Sequence, residues 1–230
     1  NEAQTAAWRR ITDFVHDRTA SRICLQIGHA GRKGSTRVAW EGMDLPLSQG
    51  NWPIVSASSL RYRPESQIPS ALDRAGMDRI VEDFASAARR ADEAGFDMIE
   101  LHMAHGYLLA SFISPLTNVR DDAYGGPIEQ RMRFPLEVFA AMRANFPDDK
   151  PMSVRVSACD WAEGGLSEAD LVAACHMLSD AGVDVISVST GQTVSDERPV
   201  YGRMFQVPFS DLVRSRVGIP TIVAGNIYSA

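Results

Sequence analysis

The chain has 230 residues, 45% of them hydrophobic, with 23 Lys+Arg against 29 Asp+Glu and a formal net charge of −6. That much apolar side chain builds a large core and excludes global disorder. The acidic balance argues against a general nucleic-acid binder, and no apolar run reaches the roughly 18 residues that would read as a membrane span.

The first pattern is helical, with Trp8, Ile11, Phe14 and Val15 on one face. Residues 23–27, Ile-Cys-Leu-Gln-Ile, then read as a short buried strand. Residues 28 to about 73 form a long connection rich in Gly, Pro, Ser and Arg; a loop of this length inside a domain is usually functional. Its opening, residues 28–34, is Gly-rich and basic. It suits either anion binding by backbone N–H groups or a solvated loop, and it lacks the GxGxxG fingerprint. Ile80, Val81, Phe84, Ala88 and Ala91 make a second helix, stopped by Gly95, and residues 98–102 a second strand.

A third helix is predicted over 129–146, with Pro135 imposing a kink or a restart. Residues 152–156 form the third strand. Ser167 with Asp170 three residues on is a capping-box variant that starts the fourth helix, which ends at Gly182. Residues 185–189 form the fourth strand. A short helix from Pro208 to near Gly218 precedes the fifth strand at 221–224. Helix and strand alternate, so the units are parallel βα repeats. Ala94-Gly95-Phe96-Asp97 and Ala181-Gly182-Val183-Asp184 write the same helix-to-strand turn twice, which favours a (β/α) barrel over a doubly wound sheet.

Cys24, Cys159 and Cys175 are odd in number and have no CxxC spacing, which fits reduced thiols in a cytoplasmic protein. Cys24 and Cys175 lie in apolar stretches and are expected in the core. No signal peptide is visible at the N-terminus.

Polar residues interrupt the strands where apolar ones are the rule. Gln26 stands in the first, Glu100 and His102 in the second, Arg155 in the third. In a barrel the C-terminal ends of the strands converge on one mouth, where the active site lies. Arg155 is either a structural ion pair, with Glu100 as partner, or the contact for an anionic or electron-accepting cofactor, since an unpaired buried cation is costly. His102 and His105 can aim two imidazole N–H groups at one oxygen and stabilise developing charge, and Tyr107 offers a phenol as proton donor. Two histidines at this spacing also suit zinc, but HExxH and a third ligand are missing, so no metal is expected. Gly225-Asn226 after the last strand offers backbone amides to a phosphate, or is an ordinary turn.

Several stretches together resemble the Old Yellow Enzyme family of FMN-dependent ene-reductases and NADH:flavin oxidoreductases. They are residues 25–32 (Leu-Gln-Ile-Gly-His-Ala-Gly-Arg), 100–109 in a His-x-x-His form, and 153–157 (Ser-Val-Arg-Val-Ser). The most specific is 114–118 (Ser-Pro-Leu-Thr-Asn) with Arg120, Asp122, Tyr124, Gly125, Gly126 and Arg131. The resemblance implies FMN as cofactor and NADH or NADPH as reductant. By it, Gln26 bonds the pyrimidine side of the flavin and Arg155 its N1/C2=O edge. His102 and His105 bind the substrate oxygen, Tyr107 donates the proton, and Gly225 and Asn226 begin the phosphate site. The signature from Asp122 to Arg131 is expected to fix a loop.

The long connection and residues 202–206 look like the oxidoreductase part of salicylyl-CoA or anthraniloyl-CoA monooxygenase fusion proteins. A complete family member is a TIM (β/α)8 barrel, whereas the five strands here resemble strands three to seven. Residues 1–230 are therefore expected to be a partial FMN-binding barrel domain, truncated at both ends. The expected reaction reduces the activated C=C bond of an α,β-unsaturated carbonyl or CoA thioester. Expected partners are that small molecule, with homo-oligomerisation left open, and neither nucleic acid nor membrane. A metal-dependent barrel hydrolase and a non-catalytic fragment lacking flavin are the alternatives.

Overall fold

The computed structural model describes residues 1–228. In chain order the elements are α1 (Glu2–Arg18), β1 (Cys24–Ile27), a long connection, α2 (Arg74–Glu93), β4 (Met98–Met103), α3 (Leu108–Ile113), α4 (Ile128–Arg131) and α5 (Arg133–Arg143). There follow β5 (Met152–Ser157), α6 (Glu168–Asp180), β6 (Val185–Ser189), α7 (Val207–Val217) and β7 (Thr221–Val223). The connection carries two 3-10 turns, Gly31–Lys33 and Ala39–Glu41, and a two-residue parallel pair, β2 (Val55–Ser56) with β3 (Ser70–Ala71).

The five longer strands form one parallel sheet in the order β1-β4-β5-β6-β7. Each strand lies beside its predecessor with no reversal. Barrel staves run this way, whereas a doubly wound sheet reverses at a switch point. All five strands expected from the sequence are present.

Strand periodicity gives the sheet two faces of opposite character. On one, Ile99, Leu101 and Met103 align with Met152, Val154 and Val156 and with Ile186 and Val188; all are buried. They share one apolar cluster with Phe84 and Ala88 of α2, Phe134 and Phe139 of α5, and Leu171 and Leu178 of α6. Each of the larger of these side chains contributes roughly 1.5–3 kcal/mol by leaving water. The opposite, inner face is polar: Gln26, Glu100, His102, Ser153, Arg155, Ser187 and Ser189.

The two look-alike turns are the same structure. Ala94 and Ala181 share φ −77 and ψ −5, and Gly95 and Gly182 are left-handed at φ 86 and φ 90. Glycine meets that φ without the Cβ penalty and closes a Schellman-type end. Phe96 N–H reaches Ala91 O and Val183 N–H reaches Leu178 O, both at 3.1 Å. The aspartate after each turn then grips the neighbouring strand twice. Asp97 N–H donates to Ile23 O at 3.1 Å and its carboxylate accepts from Ile23 N–H at 2.9 Å. Asp184 does the same with Met152, at 3.1 and 2.8 Å.

The helix expected over 129–146 is two helices, broken at Met132. Pro135 is the third residue of α5, where its missing N–H would have had no intrahelical acceptor. The capping box is present, with Ser167 Oγ accepting from Asp170 N–H at 3.1 Å. The 114–131 signature fixes a loop: Asn118 Nδ2 donates to Phe112 O and Tyr124 O at 2.7 and 2.8 Å, and the Arg131 guanidinium donates to Gly126 O and Ile113 O.

One expectation is corrected here. Cys24 is exposed rather than in the core, because it lies on the inner face of an edge strand; Cys175 is buried. The apolar face of α1 is largely exposed, with Phe14 at 64%. Only Trp8 finds an aromatic partner, edge-on to Phe96 at 5.6 Å, because no strand lies beyond β1 among the described residues. No helix is long and apolar enough to cross a membrane among the described residues.

Candidate active site

The polar face is richest at the C-terminal ends of β4, β5 and β6. Registry places His102 beside Arg155 and Arg155 beside Ser187, and one layer down Glu100 beside Ser153 and Gln26. Glu100 is doubly held. Gln26 Nε2 donates to its Oε1 at 2.6 Å and Ser153 Oγ donates to its Oε2 at 3.0 Å.

After β4 the chain turns back through His105 and Gly106, both left-handed at φ 61 and φ 67. A Cβ on Gly106 would lie 2.5 Å from Gln192 O and 2.9 Å from Thr193 Cα, so only glycine lets these loops meet. His105 is not glycine, and its φ costs about 1–2 kcal/mol. Surrounding bonds hold it there, including His105 N–H to Ser157 Oγ at 2.9 Å.

That turn brings the two imidazoles together. His102 Nε2 lies 3.1 Å from His105 Nδ1, and His105 Nε2 lies 2.8 Å from Ser189 Oγ. Ala104 N–H donates to His102 Nδ1 at 3.2 Å. This backbone donor sets the direction of the whole chain. With Nδ1 an acceptor, His102 carries its proton on Nε2 and donates to His105 Nδ1; His105 then carries its proton on Nε2 and donates to Ser189. Both rings are neutral at pH 7. Burial first, then the Arg155 charge, pushes His102 down to about 4; burial, then His102, Arg155 and Lys33, pushes His105 down to about 3.

Tyr107 stands edge-on to His102 at 5.0 Å and to His105 at 6.4 Å, and its hydroxyl makes no hydrogen bond among the described residues. Arg155 forms no ion pair among the described residues: its Nε is buried without a partner, and its Nη2 lies 3.5 Å from Ser189 Oγ. His102, His105, Tyr107 and Arg155 are thus one group. Gln26 joins its lower layer through Glu100.

Gly225 and Asn226 lie apart, after β7. Asn226 is held to a neighbouring loop, Nδ2 to Gly202 O at 2.9 Å and its carbonyl to Met204 N–H at 3.1 Å. Both are left-handed, and a Cβ on Gly225 would lie 2.4 Å from Gln206 Nε2. No hydrogen bond joins them to the histidines among the described residues.

The basic loop is not solvated. Gly31, Arg32 and Lys33 are buried. Arg32 donates to Leu60 O, Arg61 O and Thr193 O, and Lys33 Nζ donates to His105 O and Gln192 O at 3.3 and 3.2 Å. These cations tie loops together over Tyr62, whose ring lies 4.4 Å from Lys33 Nζ.

Ser189 and Ser157 were not expected at the site. Serine in a strand end carries no motif; only its inner-face parity with Arg155 singles it out.

Among the described residues no three His, Cys, Asp or Glu side chains gather as a metal site. The residues present fit an electron-rich cofactor instead. The polar face carries a buried guanidinium nitrogen, Arg155 Nε, that has no acceptor, which suits an anionic group.

Residues 1–230 match the model of the NADH:flavin oxidoreductase / NADH oxidase family. The chain is 39% identical over 227 residues to an NADPH dehydrogenase of Listeria welshimeri, covering 99% of this chain and 62% of that protein. Among solved structures, an Old Yellow Enzyme homologue from Zymomonas mobilis superposes with a TM-score of 0.78 at 26% identity, covering 100% of this chain and 63% of that one. Morphinone reductase does so at 0.76 and 28%, with 100% and 62% covered. The chain therefore spans 62% of the length of the curated relative. Its sheet is part of a TIM (β/α)8 barrel.

Proposed function

The chain belongs to the NADH:flavin oxidoreductase / NADH oxidase family, whose cofactor is FMN, and from that premise we propose an ene-reductase. In this reading residues 1–230 are part of one FMN-binding barrel domain in a protein that takes hydride from NADH or NADPH. The protein passes it to the activated C=C bond of an α,β-unsaturated carbonyl, with an aromatic CoA thioester as the narrower substrate class. One observation carries this reading: two neutral, paired histidines and a free tyrosine hydroxyl share the inner face with an arginine that has no carboxylate.

Bound FMN supplies the hydride chemistry. Arg155 would place its charge at the electron-rich ring edge and give its buried, unpartnered Nε an acceptor. Gln26 would face the pyrimidine side, its Nε2 anchored on Glu100 and its Oε1 left as an acceptor. Gly225 and Asn226 would present backbone amides to the phosphate. His102 and His105 would bind the substrate carbonyl oxygen and polarise the double bond; neutral imidazole N–H groups stabilise negative charge as it grows without first protonating the oxygen. Tyr107 would give its phenolic proton to the α-carbon on the face opposite hydride delivery.

The test is the full-length protein as purified. A flavin absorbance at about 450 nm, bleached by NADPH or NADH under nitrogen and restored by 2-cyclohexenone, supports the reading. A colourless protein that takes up no FMN, or a reduced flavin that an enone leaves reduced, overturns it.

A further inference from the structure

The hydrogen-bond chain through the two histidines has one place where its direction can reverse. The nitrogens that face each other, His102 Nε2 and His105 Nδ1, lie 3.1 Å apart with a single proton between them. An oxygen entering between them needs both to donate. His102 Nε2 already carries a proton, because Ala104 N–H holds Nδ1 as an acceptor at 3.2 Å. His105 does not offer one: its proton sits on Nε2 and points at Ser189 Oγ, 2.8 Å away.

Ser189 is 4% exposed, so its hydroxyl has no ready exchange of partners with bulk water. It accepts from His105 and, at 3.5 Å, from Arg155 Nη2, and no acceptor for its own proton is present among the described residues. A hydroxyl can donate as readily as it accepts. Turned round, it would keep Arg155 as donor and give its proton to His105 Nε2, so that every group in the chain is matched.

We propose that Ser189 is a positioning residue, a reversible hydroxyl that lets His105 change tautomer from Nε2–H to Nδ1–H when an oxygen ligand enters between His102 and His105. This rests on the oxygen-binding reading of the two histidines. The proton count is unchanged: as the oxygen enters, His105 takes one proton on Nδ1 from solvent, the Ser189 hydroxyl takes over the Nε2 proton and points it back at that nitrogen, and the proton the serine held before is released to solvent, so both groups stay neutral. Because the same hydroxyl accepts from Arg155, the guanidinium biases the serine toward donating to His105. A cofactor-side cation and a substrate-side imidazole therefore meet on one oxygen.

The test is nitrogen-15 imidazole NMR on the full-length, FMN-loaded protein at about pH 8, before and after saturation with 4-hydroxybenzaldehyde, together with Ser189→Ala and Ser189→Thr. Without the probe, His105 shows an unprotonated Nδ1. With it, His105 shows a protonated Nδ1 and an unprotonated, hydrogen-bonded Nε2. Ser189→Ala binds the probe roughly tenfold more weakly, and Ser189→Thr, which keeps the hydroxyl, binds as the parent does. If the rings respond but His105 stays Nε2–H or becomes doubly protonated, the tautomer change is wrong. If Ser189→Ala folds and binds as tightly as the parent, Ser189 has no such role. If neither ring responds to the probe, the oxygen-binding reading itself falls, and this proposal with it. Should Ser189→Ala fail to fold, the parent spectra and Ser189→Thr decide.

Discussion

Glu100 and Arg155 sit on the same face of adjacent strands, one diagonal step apart, and do not pair. Registry sets Glu100 beside Ser153 and Arg155 beside His102. The carboxylate is held by Gln26 and Ser153, while Arg155 keeps a buried Nε with no acceptor. A structural salt bridge was one of two readings open from the sequence, and the geometry leaves it unformed.

Replacing Arg155 by Met therefore separates two kinds of role. Removing a member of a buried ion pair costs about 3–5 kcal/mol, whereas removing an unpaired cation relieves desolvation. We expect apo Arg155→Met to unfold at the same urea concentration as the parent or a higher one. Its FMN affinity should fall at least tenfold, measured by flavin fluorescence quenching in the full-length protein. A stability loss above ~3 kcal/mol with FMN affinity intact would assign Arg155 to the scaffold.

The paired histidines are expected to hold the substrate oxygen. His102→Ala and His105→Ala should each weaken 4-hydroxybenzaldehyde binding by roughly 10- to 100-fold, as for hydrogen bonds to a charged group. The long-wavelength charge-transfer band of the flavin–phenolate complex gives the binding curve. Unaltered curves in both variants would remove the histidines from the oxygen site.

Tyr107→Phe keeps the edge-on ring contact with His102 and deletes only the hydroxyl. General-acid catalysis contributes roughly 10²–10⁴-fold, so enone reduction should slow by that order. Flavin reduction by NADPH, followed separately by stopped flow, should be unchanged. Equal rates in both half-reactions would show that another group supplies the proton.

The histidines also predict an acid-sensitive fold. Their folded values, about 4 and about 3, lie below the unfolded value of 6.5. Between those limits the unfolded chain binds more protons, so stability is complete above about pH 6.5 and falls as the pH drops. At pH 5 each ring would cost on the order of 2 kcal/mol, less for both together because they interact. Urea unfolding at about pH 7.5 and pH 5 measures the difference. His105→Gln should flatten the dependence, and a variant as acid-sensitive as the parent would locate the effect elsewhere.

Much of this architecture is legible in the residues, for a physical reason. Short β-branched runs and three-to-four spacing of apolar residues are local signals, and Ser167 and Gly182 mark the ends of α6 by local hydrogen bonding and local φ. Pro135 marked the α4–α5 break for the same reason. The residues of the His102–His105 turn stood out because polar side chains interrupt a strand. Ser189 did not, since it is 84 residues from His105 and gains meaning only when β6 is set against β5. The pairing of β2 with β3 is two residues long and has no periodicity to read. The exposure of Cys24 and of the α1 face depends on what neighbours them in space, which composition does not carry.

Strand registry is the quantity on which the whole inner face depends. A slip of one residue in β4 would turn Glu100 and His102 into the apolar cluster and expose Leu101 in their place. Parallel strands joined by long crossovers have no hairpin to set their alignment. Asp97 and Asp184 do that work: each grips the first residues of the preceding stave through both its backbone and its carboxylate, at the moment the new strand begins. The repeated Ala-Gly-x-Asp turn is thus an indexing device, counting β4 and β6 into place against β1 and β5 so that their polar side chains land on the same side of the sheet.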